Sequence, residues 1–297
     1  MLKRLLVFIH FVEFALYAWL LVDANTSWYH AFITIVGAAL LLRFIIITLT
    51  FVIAKPPLQP VSRLAAAIAS EYVSAVYIFS FSAIVDRARI LQTDQQHADH
   101  LPILFVHGFV CNAGYWRRFV RFFKQHWGAH IATIDLEPVH TDIEHYAAPI
   151  AKRIDALLDA SGQSQCLLVT HSMGGLATRH LLATANPAIA GVVTLGTPHS
   201  GTRLGYFSLA PNAKQMRTGS GWLAQLTDQE RDRIQPPFEA LIGTHDNIVG
   251  PQENARYTPA TNTYLAGMSH LAMALDQSVI EWTYARCAQL AQFAQKD

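Results

Sequence analysis

Charged side chains are scarce in this chain: Asp, Glu, Lys and Arg make up 14% of its 297 residues, against 52% hydrophobic. A soluble domain is usually about a quarter charged, so part of the polypeptide is expected outside water. Lysine and arginine form no run, and a formal charge of +1 leaves nucleic acid no electrostatic footprint. With three cysteines, Cys111, Cys166 and Cys287, a disulfide framework is not expected and one bridge is the upper limit. Metal-ligand spacing is missing too, since Asp142 with His145 and His97 with His100 are isolated pairs. There is no glycine-rich phosphate loop, internal repeat or low-complexity tract. We therefore expect no cofactor, no metal and no nucleic-acid partner.

The hydrophobic excess is concentrated at the N-terminal end. Leu5 to Val22 is broken only by His10 and Glu13, and Ala31 to Ala54 only by Arg43. Each run reaches or approaches the ~20 residues that cross a bilayer core, which predicts a transmembrane helical hairpin over residues 1–57. A signal peptide fits poorly, because a second apolar run follows at once without a small-residue cleavage site; two buried core helices are the other alternative. In an antiparallel hairpin Glu13 and Arg43 fall within roughly 5 Å of the same depth, and charges in lipid need partners, so the two are expected to pair. Residues 58–100 hold a further apolar stretch, Leu64 to Val85, with Ser70, Glu71 and Ser74 close together on one helical face. It reads either as a third spanning helix or as one lying along the membrane surface, followed by a polar linker at 94–100. Lys3, Arg4, Lys55, Arg63, Arg87 and Arg89 favour a cytoplasmic N-terminus, two crossings and a cytoplasmic location for the rest of the chain.

From residue 101 to 297 strand and helix patterns alternate, predicting an α/β domain with a mostly parallel sheet covered on both faces. Strands are expected at Pro102–Val106, His130–Ile134, Cys166–Thr170, Gly191–Leu195, Phe238–Ile242 and Thr261–Leu265. Helices are expected over Trp116–Trp127, Asp142–Ala160, after Ser172, and from about Leu271 to Phe293. Ligands in such sheets bind beyond the carboxyl ends of the strands. His171-Ser172-Met-Gly-Gly175 stands at one such end. A serine hydroxyl needs a sharp strand-to-helix turn to lift it toward a base and toward amide donors, and this segment has that layout, with Thr170 where a glycine is usual. The turn at His107-Gly108-Phe109 offers the Phe109 N–H, which with the Met173 N–H would form an oxyanion hole; His107 is read as a structural hydrogen-bonder. Asp246 and His270 each follow a strand, and in the chain order Ser172, Asp246, His270 they supply an acid and a base. His171, His199 and His245 are the rival histidines, and Glu253 is the reserve acid.

His107-Gly-Phe, His171-Ser-Met-Gly-Gly, Leu195-Gly-Thr-Pro-His-Ser-Gly-Thr202, Asp246-Asn-Ile-Val and Gly267-Met-Ser-His270 together resemble the α/β-hydrolase superfamily, and bacterial triacylglycerol lipases and esterases within it. The resemblance implies an α/β-hydrolase fold after the hairpin, a cap or lid insert at about 201–237, and a carboxylic ester hydrolase of lipid acyl esters. With the hairpin it also implies an inner-membrane location. Acyl transfer on the same fold, and a catalytically idle adaptor, are the alternative readings.

Overall fold

A computed structural model describes the chain except for residues 24, 94–99, 234 and 295–297. The expected polar linker, with His97, thus falls outside the described residues apart from His100. Helices α1 (Leu2–Leu21) and α2 (Trp28–Ala54) form an antiparallel hairpin. Ser27 starts α2 by accepting the His30 N–H. Lys55, in the left-handed region at φ 53°, ends it ahead of Pro56, whose ring disfavours helix at the preceding residue. Helix α3 (Val61–Tyr77) continues through a π-turn at Ile78–Ser82 into the short α4 (Ala83–Val85). Both α1 and α2 are long and apolar enough to cross a membrane, and so is the stretch Val61–Val85.

The third stretch differs from the other two in what it touches. Leu64, Ile68 and Tyr72 pack on Ile47 and Phe51 of α2, whereas Ala83 packs on Leu2 and Leu6 of α1. It therefore passes from one arm of the hairpin to the other, and its polar face, Glu71 and Ser74, is buried, with Glu71 accepting the Leu271 N–H.

The sheet has seven strands in the order β1-β3-β2-β4-β5-β6-β7. Strands β2 (Ile103–Val106), β3 (Ile131–Thr133), β4 (Cys166–His171), β5 (Ile189–Leu195), β6 (Phe238–Gly243) and β7 (Thr261–Leu265) are parallel. The edge strand β1 (Ile90–Leu91) runs antiparallel to β3 and has no counterpart in the sequence reading. Strands β2 to β6 are buried along their whole length, which is why they read as unbroken apolar runs rather than alternating ones. One face is covered by α5 (Arg117–His126) and α10 (Gln277–Ala294), whose core includes Trp116, Phe119, Phe123 and Leu290. The other is covered by α6 (Ala147–Ser161), α7 (Met173–Thr184) and α9 (Gly221–Glu230), centred on Ile150, Leu176 and Leu226. Chain order reverses between β2 and β4, and that is where a doubly wound sheet opens a crevice at its carboxyl edge.

The insert at 201–237 divides in two. Its second part, α9, packs Leu223 and Leu226 into the core as an ordinary surface helix does. Its first part, the turn Arg203–Phe207 followed by α8 (Pro211–Gln215), lies beside α2 and leaves Tyr206, Phe207 and Leu209 exposed.

Candidate active site

Ser172 caps α7 with φ 53° and ψ −127°, a conformation that costs a non-glycine residue about 1–3 kcal/mol and persists only where its surroundings impose it. The constraint comes from both sides. The Ser172 N–H donates to Leu195 O at 3.0 Å, and Ser172 O accepts from Gly175 N at 3.0 Å. A Cβ on Gly174 would stand 2.6 Å from His107 O, so only glycine lets α7 begin this close to the end of β2. Thr170 is accommodated where a glycine is usual: it is fully buried, and its hydroxyl donates to Val193 O at 3.3 Å across the neighbouring strand.

The turn after β2 is held by a histidine. Leu136 N–H donates to His107 Nε2 at 2.9 Å, so the ring proton sits on Nδ1 and is donated to Gly108 O at 2.8 Å. In a trans peptide the N–H points opposite to the C=O, so fixing the Gly108 carbonyl also fixes the direction of the Phe109 N–H. At the start of α7, the Met173 N–H is among the first amides of a helix, which have no partner within it. Burial keeps His107 below the usual histidine value, which suits a neutral ring in this role.

Asp246 follows β6. Its Oδ1 accepts the N–H groups of Ile248 at 2.8 Å and Val249 at 2.7 Å, while Oδ2 lies 2.8 Å from His270 Nδ1. Both side chains are almost completely buried. Burial alone would lower the His270 pKa, but the Asp246 charge and hydrogen bond, with Glu71 beyond them, outweigh it and leave the ring raised. Gly196, at φ 53°, keeps room for the pair; a Cβ there would lie 3.0 Å from Asp246 Oδ2 and 3.2 Å from His270 Nδ1.

The rival histidines point elsewhere. His171 is stacked on Tyr115 at 4.1 Å, and burial, then the neighbouring His270, hold it well below the usual value. His199 lies flat on Tyr257, with its pKa lowered first by burial and then by Arg179. His245 turns to the Thr244 hydroxyl at 2.9 Å. Glu253 is exposed and accepts from Tyr264.

Ser172 and His270 open into one cavity of about 460 Å³, which Phe109 also lines. Helix α2 supplies Arg43, Ile46, Ile47 and Thr50 to its wall, and the α3 stretch supplies Glu71, Ala75 and Phe79. The insert closes it with Leu204, Phe207 and Met216. The cavity is mostly apolar, and Arg43 in its wall forks its guanidinium onto Glu13 with two contacts of 2.7 Å. Among the described residues, no group of three His, Cys, Asp or Glu side chains could hold a metal ion.

A crossover sheet whose switch point carries a strained serine, with Asp and His after later strands, has known counterparts. The fold is that of the α/β hydrolases. Residues 102–218 match the family model for the alpha/beta hydrolase fold. A lipase of Bacillus licheniformis, BlEst2 in its mature form, superimposes with a TM-score of 0.59 at 21% identity, over 69% of this chain and 97% of that one. In sequence, a triacylglycerol lipase of Pseudarthrobacter phenanthrenivorans is 29% identical over 122 residues, 38% of each chain. A triacylglycerol lipase of Burkholderia plantarii is 29% identical over 122 residues, 38% of this chain and 34% of that protein. The chain thus spans little more than a third of the length of these curated relatives. The α/β-hydrolase chassis carries the strained serine on its elbow.

Proposed function

We propose that this chain is a membrane-anchored serine hydrolase of carboxylic esters, acting on lipid acyl chains. The observation that carries the reading is the pair Asp246–His270, joined at 2.8 Å and opening into the same cavity as the strained Ser172. Ser172 Oγ attacks the ester carbonyl as His270 Nε2 takes its proton, and Asp246 balances the imidazolium that forms. The amides of Phe109 and Met173 meet the oxyanion, each such donor contributing about 3 kcal/mol in related chemistry. The alcohol leaves with the proton from His270, and a water activated by the same ring releases the acid from Ser172. The similarity to triacylglycerol lipases and the apolar cavity support a lipid acyl ester as substrate.

Residues 1–57 serve as the hairpin anchor, 58–100 as the docking helix and linker, and 101–297 as the catalytic domain. Leu2, Leu6, Phe51 and Ala54, at the two open ends of the hairpin, are buried, and Gly250 of the catalytic domain approaches Ala54 so closely that a Cβ there would lie 2.6 Å from its Cα. These contacts, on the side carrying Lys3, Arg4 and Lys55, support a catalytic domain on the cytoplasmic side of an inner membrane by the positive-inside rule.

The test is Ser172→Ala in the full-length protein. Turnover of a p-nitrophenyl ester should fall by about 10⁴-fold or more, and labelling by a fluorophosphonate probe should vanish. Persistent labelling of Ser172→Ala would reject the assignment.

A further inference from the structure

The base of the proposed triad is held from outside the hydrolase fold. Glu71, on α3, is 1% exposed, and its Oε2 accepts the N–H of Leu271 at 2.8 Å and of Ala272 at 3.1 Å. These two residues open the 3-10 turn Leu271–Ala274, whose N-cap is His270. Opening amides of a helical turn find no partner inside it, and a capping side chain normally supplies one. Here the cap residue cannot, because the His270 ring is engaged with Asp246. A carboxyl group two hundred residues away in sequence takes its place, one of its oxygens accepting both amides.

A second tie arrives from α2. Thr50 Oγ1 accepts from Asn247 Nδ2 at 2.8 Å, and Asn247 Oδ1 accepts the His270 N–H at 3.3 Å. Ser70, next to Glu71, brings its hydroxyl to 3.4 Å from that of Ser269. The four residues 269–272 are thus gripped by Asp246 and Asn247 on one side and by α2 and α3 on the other.

We propose that Glu71 is a positioning residue: by holding the Leu271 and Ala272 amides it fixes the backbone from which His270 reaches Asp246 and Ser172, so that the triad is complete only while α3 is docked on the catalytic domain. The proposal rests on the reading of Ser172, Asp246 and His270 as a triad. A base displaced by about 1 Å can lose about a hundredfold in rate, so a modest backbone shift here has a measurable effect.

The experiment uses the full-length protein in detergent, with active sites titrated by a fluorophosphonate probe and rates expressed per titrated site. Glu71→Gln keeps an oxygen for the two amides, and its kcat and labelling rate should stay within about threefold of the parent. Glu71→Leu leaves both amides buried without an acceptor; its kcat and labelling rate should fall together by about 30-fold to 100-fold, with KM changed less than about twofold. Should Glu71→Leu yield no titratable sites, Glu71→Asp, which withdraws the carboxylate by one methylene, and Thr50→Val, which cuts the second tie, take over, and each should slow labelling several-fold. Parent-like rates in Glu71→Leu would overturn the proposal, as would a Glu71→Gln as slow as Glu71→Leu, or parent-like labelling in both Glu71→Asp and Thr50→Val. Labelling that survives Ser172→Ala would instead remove the triad itself, whatever the Glu71 variants do.

Discussion

Two ion pairs in this molecule share one design and differ in what surrounds them. In the catalytic domain Arg179 forks onto Glu230 at 2.8 and 2.6 Å, donates a further N–H to His199 O, and Glu230 also accepts the Tyr257 hydroxyl. In the hairpin Arg43 forks onto Glu13 at 2.7 Å twice, donates to Ala39 O, and Glu13 accepts the Tyr17 hydroxyl. The first pair lies between α7 and α9, with the Tyr257 ring 4.6 Å from the guanidinium and both partners buried. The second is flanked by Val12, Leu16, Leu40 and Leu41, all exposed. Complete enclosure makes the first pair part of the domain's stability, whereas the second, partly buried where Arg43 lines the cavity, ties the two helices of the hairpin to each other.

The comparison can be broken at either pair. Glu230→Ala strands a buried guanidinium and should cost roughly 3–5 kcal/mol, lowering the unfolding temperature of the catalytic domain by roughly 10 °C in a thermal melt. A shift below about 2 °C would show that water reaches the site and that enclosure is not what matters. Arg43→Leu should leave that melt unchanged but reduce the carbonate-resistant membrane fraction, since an unpaired carboxylate in a bilayer costs about 3 kcal/mol. Glu13→Leu with Arg43→Leu should recover the fraction, and failure of the double variant to do so would argue against the pairing as the reason the hairpin tolerates these charges. The smallest effect concerns pH. His270 is raised by its carboxylate partners against the cost of burial, and it must be neutral to accept the serine proton. The acidic limb of kcat/KM should therefore fall off as pH drops through a value above the ordinary ~6.5, and Arg43→Leu should leave that limb in place. A limb below ~6.5 would contradict the charge environment of His270.

Much of the architecture was legible because the buried parallel strands announce themselves as apolar runs and each chemical residue follows one of them. Ser172 after β4 and Asp246 after β6 could be placed by counting. Strand β1 escaped detection, since two residues flanked by Arg87 and Arg89 carry no periodicity. Expected helices at Trp116, Asp142 and Leu271 open as 3-10 turns, a boundary set by local capping that apolar spacing does not encode. The pairing of Glu13 with Arg43 followed from depth alone, because both lie on helices of known rise. Glu71 was different. Its neighbours Ser70 and Ser74 marked a polar face on an apolar helix, yet nothing nearby in sequence says that this face meets residues 269–272, which belong to the far end of the chain. The insert at 201–237, expected as a cap or lid, is divided in the structure, because Leu223 and Leu226 found core while Phe207 and Leu209 did not.

The cavity wall built by Ile47, Thr50, Ala75 and Phe79 has a practical meaning. Cutting the chain ahead of residue 101 would not release a finished globule but one with a flank missing, its reactive serine open to bulk water and a sticky apolar trough laid bare. Whoever purifies this protein is handling a chain whose greasy stem doubles as one side of the cavity that holds Ser172.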